Sequence, residues 1–234
     1  MTRCPVVATL LLLGIVLPTA AQLVPPDGPP VRVRLLTTAA RPPHRLEEAA
    51  AREVRRYVYA GTQELAPVTV EPCSRAALLG AEHGDLLLLG AGCSETVPLP
   101  LRDVAALAGE EHAARLLPSG AVLLAGGSPT ALLYSAYRYA EAALGVHFTI
   151  GGDAIPRRSR ADHAVARGRL PTEGVESPEF AVRGLNPFHD FAMGPDFWEE
   201  ENYKAYTTQM AKLRMNFIVR RSFHVASRIC CVDR

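Results

Sequence analysis

Residues 122–148 read VLLAGGSPTALLYSAYRYAEAALGVHF, and this stretch decides the fold class. An apolar strand leads into a helix, for which Ser128 is a good N-cap and Pro129 fits the first helical position. Apolar side chains then recur at helical spacing until Gly145 marks the helix end. A further strand is predicted at residues 146–150. This strand, helix, strand order is typical of an α/β protein.

Three more strands are predicted upstream, at residues 31–36, 67–71 and 85–89. Amphipathic helices are predicted between them, at residues 46–58, where Gly61 ends the helix, and at residues 74–81. The DLLLL run at 85–89 is apolar on both faces, as in a parallel sheet that is covered on both sides.

Residues 112–117 and 121–125 are predicted to be two strands joined by a tight turn at 118–120. Together with the continuous apolar strands upstream, the pattern indicates a mainly parallel sheet. The pair Gly126-Gly127 between strand and helix allows two interpretations, a cradle for an anion or a tight turn. It lacks the Lys and the longer glycine pattern of phosphate-binding loops.

The chain has 234 residues, of which 48% are hydrophobic and 21% charged, and its net charge is +1. This composition is that of a globular protein with one large or two modest domains. Because no strong charge of either sign is present, nucleic-acid binding is not expected.

The first 21 residues resemble a secretory signal peptide, since Arg3 precedes an apolar run at 6–17 and small residues follow. The alternative is an uncleaved membrane anchor, for which the run is short. A Pro-rich leader follows at residues 22–30. The mature chain is thus expected to be secreted and not membrane-bound.

Cys4 would leave with the signal peptide, so four cysteines remain. Cys73 and Cys93 each follow the carboxyl end of a predicted strand, and they either form a disulfide or remain as two free thiols. Cys230 and Cys231 lie near the end of the sequence. No Cys and His spacing indicates zinc, and no metal or cofactor is expected.

A second unit is predicted after the α/β domain at 31–156. Residues 157–177 show no helical or strand period and are predicted to be a linker. A strand at 180–185, a helix at 197–214 and a strand at 216–220 then follow in order.

Acidic residues are concentrated at the start of that helix. Asp196 is predicted to be its N-cap, with Glu199 completing a capping box, while Glu200 and Glu201 complement the helix dipole in the first turn. These four acids are therefore interpreted as structural.

Arg183, His189 and Asp190 surround the carboxyl end of the predicted strand at 180–185. An Arg and an Asp in this position could bind sugar hydroxyls through charge-assisted hydrogen bonds. Alternatively, Arg183 and Asp190 pair with each other and hold the loop.

Several motifs resemble known enzymes. RGLNPFHDF at 183–191, GPDFW at 194–198 and LRMNFI at 213–218 resemble the first strand, loop, helix and second strand of the barrel in secreted glycoside hydrolases related to α-glucuronidases and β-hexosaminidases. The sequence at 122–148, together with GDAIP at 152–156, is similar to the α/β domain that precedes this barrel.

The resemblance implies a β-hexosaminidase-like α/β sandwich domain with a mixed sheet, followed at 178–234 by the first β-α-β of an incomplete (β/α)8 TIM barrel. In those families the catalytic acids come from later strands, so no catalytic residue is assigned here. Arg183 matches the substrate-binding arginine, with His189 and Asp190 as companions. The sequence after Arg221 departs from the family, which predicts a truncated barrel whose residues are poorly anchored.

The expected function is thus that of a fragment of a secreted enzyme that hydrolyses O-glycosyl bonds in a polysaccharide or glycoconjugate. Alone, the fragment is expected to be inactive. The alternative is a non-catalytic secreted module that binds carbohydrate or another partner.

Overall fold

The computed structural model describes residues 29–38, 41–93, 96–98, 101–187 and 194–219. Outside these residues lie the predicted signal peptide, most of the leader, the end of the sequence and three of the five cysteines, Cys4, Cys230 and Cys231.

A five-stranded mixed sheet forms the centre of the fold. Its strands are β1 (Arg32–Thr37), β2 (Val68–Pro72), β3 (Asp85–Leu89), β4 (His112–Leu116) and β5 (Val122–Gly126). They lie in the order β2-β1-β3-β5-β4, with β4 antiparallel to β5 and the other neighbours parallel. The predicted α/β class with a mixed sheet is therefore confirmed.

Helices cover both faces of this sheet. Helices α1 (Arg45–Thr62) and α4 (Pro129–Tyr139) pack on one face, and α2 (Arg75–Leu79) and α3 (Arg102–Ala105) pack on the other. Side chains of β3 alternate between the two cores, with Leu88 on the α1 side and Leu87 on the α2 side. Burial on both faces explains why this strand is apolar throughout.

Helix α1 begins with a capping box. The His44 imidazole accepts from the Leu46 nitrogen at 3.2 Å, and the Glu47 carboxylate accepts from the His44 nitrogen at 2.7 Å. The helix passes through Gly61, where the sequence had predicted its end, and stops at Thr62.

Helix α4 begins as the sequence predicts, because the Ser128 hydroxyl accepts from the Ala131 nitrogen at 3.2 Å. A π-helical turn at Ala140–Leu144 continues it, and Gly145 follows with a φ of +71°. A Cβ atom on Gly126 would lie 2.2 Å from the Leu132 nitrogen. The glycine therefore allows the close turn from strand to helix.

A separate two-stranded antiparallel sheet follows the π-helical turn. It consists of β6 (His147–Thr149) and β7 (Gly152–Ala154). The strand predicted at 146–150 therefore exists, but it is shorter and lies outside the main sheet.

Residues 157–177 differ from the predicted irregular linker, because they contain helix α5 (Arg160–Arg167). The Ser159 hydroxyl caps this helix by accepting from the Asp162 nitrogen at 3.0 Å. Its buried side chains include His163 and Arg167. Because the buried face of α5 is partly polar, its apolar residues do not recur at helical spacing. The sequence therefore did not indicate this helix.

Residues 171–176, which we call the strap, lie along the outer edge of β4. The Leu116 nitrogen donates to Pro171 O at 2.9 Å, and His112 and Glu176 exchange backbone hydrogen bonds at 2.9 and 2.8 Å. The Arg115 guanidinium also donates to Gly174 O at 2.7 Å. The strap therefore covers an edge that would otherwise expose unpaired backbone groups.

A parallel β-α-β unit follows the strap. It consists of β8 (Gly184–Leu185), α6 (Glu200–Lys212) and β9 (Phe217–Ile218). Both strands are shorter than predicted, and Phe180 and Val182 in the predicted strand at 180–185 are 65% and 68% exposed.

This β-α-β unit is attached to the α/β domain, whereas the sequence had predicted poor anchoring. The Lys212 ammonium lies 2.8 Å from Asp153, and the two side chains are only 4% and 9% exposed. Arg214 pairs with Glu141 at 2.5 Å, and Met210 is buried. The expectation of poor anchoring counted barrel strands and did not include these polar contacts to the preceding domain, and hydrogen exchange across residues 180–220 is the measurement that tests it.

Candidate functional site

The loop after β8 is where the sequence places a sugar site. Asn186 and Pro187 continue from the carboxyl end of this strand. His189 and Asp190, which the sequence predicts to bind substrate, lie outside the described residues. Of the three predicted residues, the structure therefore describes Arg183 alone.

Arg183 directly precedes β8 and makes three contacts through its guanidinium. Its Nη2 lies 2.5 Å from Glu110 Oε2, its Nε donates to Arg214 O at 2.8 Å, and its Nη1 donates to Phe180 O at 2.6 Å. The side chain is 18% exposed. Every guanidinium nitrogen therefore has a partner within the protein.

Glu110 is the acidic partner that the sequence did not reveal. It lies in the loop before β4, and it also accepts from Asn216 Nδ2 at 3.2 Å. Asn216 in turn accepts from the Arg183 nitrogen through Oδ1 at 2.9 Å. Because Glu110 is 73 residues from Arg183 in the sequence, no local pattern connects the two.

The acids at the start of α6 have structural roles, but the N-cap residue differs from the one that the sequence predicts. Glu199, not Asp196, is the N-cap, and it forms a capping box with Asn202. Asp196 lies in a short 3-10 turn at Pro195–Phe197. Glu200 and Glu201 both pair with Lys204, at 2.8 and 2.9 Å.

A polar cavity of about 310 Å³ lies where the β-α-β unit meets the α/β domain, and we call it the junction pocket. Its walls come from β4, α4, the π-helical turn, the end of the strap and the end of α6. The residues that line it include His112, Arg138, Glu141, Glu176, Arg183 and Arg214.

Ion pairs surround the junction pocket. Arg138 pairs with Glu176 at 2.5 Å, Arg214 pairs with Glu141, and Arg183 pairs with Glu110. Three guanidinium groups thus meet three carboxylates. Each guanidinium on the walls therefore has a carboxylate partner, and two of these carboxylates, Glu141 and Glu176, line the pocket themselves.

His112 contributes a buried imidazole to the same pocket and is 2% exposed. Burial is the main cause that lowers its pKa below the ordinary value, so the ring is neutral at pH 7. Its Nδ1 lies 3.0 Å from Glu110 O. Since a carbonyl oxygen only accepts, Nδ1 carries the proton and Nε2 is left as an acceptor.

Aromatic side chains line a second, more open groove of about 540 Å³ beside α6. The Trp198 ring lies 4.8 Å from Tyr206 and 5.3 Å from Tyr203, measured between centroids. Ile150 and Gln209 complete this surface. Flat aromatic faces of this kind can pack against the apolar face of a sugar ring.

The structure joins Cys73 and Cys93 in a disulfide, with 5.8 Å between their Cα atoms. Both cysteines follow carboxyl ends of sheet strands, β2 and β3. The bond lies on the side of the sheet that packs against α2 and α3, away from the junction pocket.

Within the described residues, no three His, Cys, Asp or Glu side chains are arranged to hold a metal ion. In the same parts of the chain, no helix is both long and apolar enough to cross a membrane.

Comparison of the sequence with models of protein families and with curated proteins finds no match.

Proposed function

We propose that this chain is the amino-terminal part of a secreted glycoside hydrolase that cleaves O-glycosyl bonds in a polysaccharide or glycoconjugate. In this proposal, the α/β domain is of the β-hexosaminidase-like kind, and β8, α6 and β9 begin a (β/α)8 barrel. The observation that carries it is the parallel β8-α6-β9 unit directly after a mixed-sheet α/β domain.

The order of these parts supports the proposal. Barrel enzymes keep their binding groups in the loops after the carboxyl ends of the strands. Here residues 186–193, which include His189 and Asp190, follow β8 in the sequence. We propose that these two side chains bind the sugar.

Arg183 already has partners within the protein that position the start of β8. Its three nitrogens contact Glu110, Phe180 and Arg214. Each of its two Nη atoms carries a second N–H that these three contacts do not use, because a guanidinium has five donors. In the proposed enzyme, Arg183 therefore positions the start of β8, and a sugar hydroxyl would accept from one of these remaining Nη donors.

No catalytic carboxylate is assigned to the described residues. Glu199 caps α6, while Glu200 and Glu201 pair with Lys204. Two carboxyl groups at a fixed separation are required to cleave a glycosidic bond. We therefore propose that the catalytic pair lies on further barrel strands of the complete enzyme.

The messenger sequence downstream of the Arg221 codon tests this proposal. An open frame that continues into further strand and helix repeats, with two acidic residues at strand ends, is the expected result. A frame that stops without them in every transcript would overturn the assignment to a barrel enzyme.

Assays of the purified 234-residue chain give a second test. We expect no turnover of aryl glycosides, because the acids described have structural partners. If the chain turned over such a substrate, and Glu199→Gln or Asp190→Asn abolished this activity, the assignment of catalysis to later strands would be wrong. Asp196→Asn is the matched control.

A further inference from the structure

The junction pocket contains a buried acceptor without a donor. His112 Nε2 has no hydrogen-bond partner among the described residues, and the nearest carboxylate oxygen, Glu176 Oε2, lies 3.7 Å away. In the neutral ring, both of these atoms are acceptors, so they do not satisfy each other. A buried polar atom without a partner is costly, and a ligand that satisfied it would gain that free energy on binding.

A buried donor without an acceptor lines the same pocket. Arg214 uses Nη2 to bind Glu141, but its Nε has no hydrogen-bond partner among the described residues. Arg138 donates from Nε to Glu176. The wall of the pocket therefore contains a buried donor as well as a buried acceptor that no described residue satisfies.

The charges on the walls indicate which ligand would fit. Each of the three arginines that line the pocket is already paired with a glutamate. An anionic ligand would gain from the guanidinium groups but would also meet the carboxylates at similar range. A hydroxyl group both donates and accepts, and it carries no charge.

We propose that the junction pocket binds a neutral, hydroxyl-rich ligand, namely a monosaccharide or one sugar residue of a glycan. Binding displaces side chains of the pocket wall, so that ligand hydroxyls donate to His112 Nε2 and accept from Arg214 Nε, both of which are buried in the free protein. A volume of about 310 Å³ is at the lower end of the range for small-molecule sites, which suits a single sugar ring.

This site is distinct from the loop after β8. It lies at the amino-terminal side of β8, where Arg183 contacts Glu110, and it uses residues from the α/β domain. The inference does not rest on the proposed hydrolase, because such a pocket would serve an enzyme and a binding module equally.

Nuclear magnetic resonance of the full chain with 15N-labelled histidine tests the proposal. Glucose and N-acetylglucosamine are the neutral probes, and glucuronate is the anionic comparator. We expect a saturable change in the His112 Nε2 resonance with at least one neutral sugar. The absence of any saturable change with both neutral probes would overturn the proposal, and so would binding of glucuronate in preference to them.

The variant His112→Asn retains a donor close to the position of Nδ1 but removes the Nε2 acceptor. We expect it to weaken sugar binding about tenfold, in keeping with the loss of one buried hydrogen bond. His147→Asn is the matched control, because His147 is exposed on β6. Equal affinity in His112→Asn and the parent chain would contradict the assigned contact.

Arg214→Lys provides a second variant in case His112→Asn does not fold. Lysine keeps the charge that faces Glu141 but has no Nε donor in the position of the guanidinium. We expect a similar loss of sugar affinity, and unchanged affinity would contradict the proposal. Neither result depends on enzyme activity, so failure here and failure of the proposed hydrolase are distinguishable.

Discussion

The main sheet and the β8-α6-β9 unit hold together by different physical means. Strands β3 and β5 are buried on both faces by apolar side chains from four helices, whereas β1 is apolar on the α1 side and carries the ion-paired Arg32 and Arg34 on the other. The β8-α6-β9 unit has two strands of two residues each and is attached largely by ion pairs, of which Lys212 with Asp153 is the most buried. The first region is stable through packing, and the second through specific polar contacts with the first.

The largest expected effect is in the sheet. Leu88→Ala removes a fully buried side chain from β3, and we expect it to lower the free energy of unfolding by about 3 kcal/mol. Chemical denaturation followed by circular dichroism measures this change. Leu79→Ala, at a position 63% exposed on α2, is the control and should change stability little. Similar effects of the two variants would mean that the sheet is not the main source of stability.

The second-largest expected effect distinguishes the stability of the β8-α6-β9 unit from that of the main sheet. Lys212→Met removes the cationic partner that lies closest to the buried Asp153 carboxylate and leaves Tyr57, Arg56 and Gln209 as partners, and we expect a loss of about 2 kcal/mol. Hydrogen exchange should increase in α6 while β3 stays protected. Lys204→Met on the same helix is the control, since Lys204 is exposed. Equal loss of protection in α6 and β3 would show that the two regions unfold together.

A smaller effect is expected at the start of β8. Arg183→Gln removes the ion pair with Glu110, and we expect a loss of about 1 kcal/mol, because both side chains are partly exposed. Exchange of the Phe217 amide, which donates to Arg183 O, reports this change locally. Arg169→Gln, at an exposed position after α5, serves as the comparison and should leave that amide unchanged.

The smallest expected effect is a pH dependence of the stability that the Asp153 carboxylate contributes. Burial opposes ionisation of Asp153, but hydrogen bonds from Lys212 and Tyr57 outweigh it and hold the Asp153 pKa below its ordinary value of 3.8. A carboxyl with a lowered folded pKa stabilises the fold above its unfolded pKa, and this stability is lost as the pH falls through the folded pKa. The stability that the Asp153 carboxylate contributes is thus fully present at neutral pH and decreases below about pH 4.

We therefore expect acid to release α6 before β3, as measured by hydrogen exchange across this range. In Asp153→Asn the titrating group is absent, so the acid step in α6 should be smaller. An identical acid profile in Asp153→Asn and the parent chain would assign the step to other carboxylates, such as Glu71, whose pKa the Arg34 guanidinium lowers.

The sheet was predictable from the sequence because its signals are local. The leucine run at 85–89 has the length and composition of a covered parallel strand, and Ser128 with Pro129 marks a helix start. These signals need no knowledge of distant residues. The strand order and the antiparallel β4 also agree with the expected mixed sheet.

Two features escaped prediction for a physical reason. Helix α5 buries His163 and Arg167, so its inward face does not appear as an apolar stripe. The alternation at 180–185 suggests a six-residue strand, but only Gly184 and Leu185 pair with β9. Pairing depends on the partner strand, which lies about 30 residues further along the chain.

The candidate site was predictable only in part. Arg183 was identified from its place near the carboxyl end of the strand predicted at 180–185, whereas it precedes β8 in the structure, and its partner Glu110 lies in another unit of the fold. The junction pocket draws His112, Glu176 and Arg214 from three distant parts of the chain. No spacing in the sequence brings such residues together, because their proximity arises from the packing of the two units.

The strap restricts the segment that connects the main sheet to the β8-α6-β9 unit. A flexible tether lets two units sample many relative orientations, and a ligand that contacts both must then restrict them at an entropic cost. Residues 171–176 are hydrogen-bonded along β4, which leaves residues 177–183 to connect the strap to β8, and the Arg183 side chain holds the end of this connection on Glu110. Any ligand that bridges the two units would therefore meet a surface that is already oriented before binding.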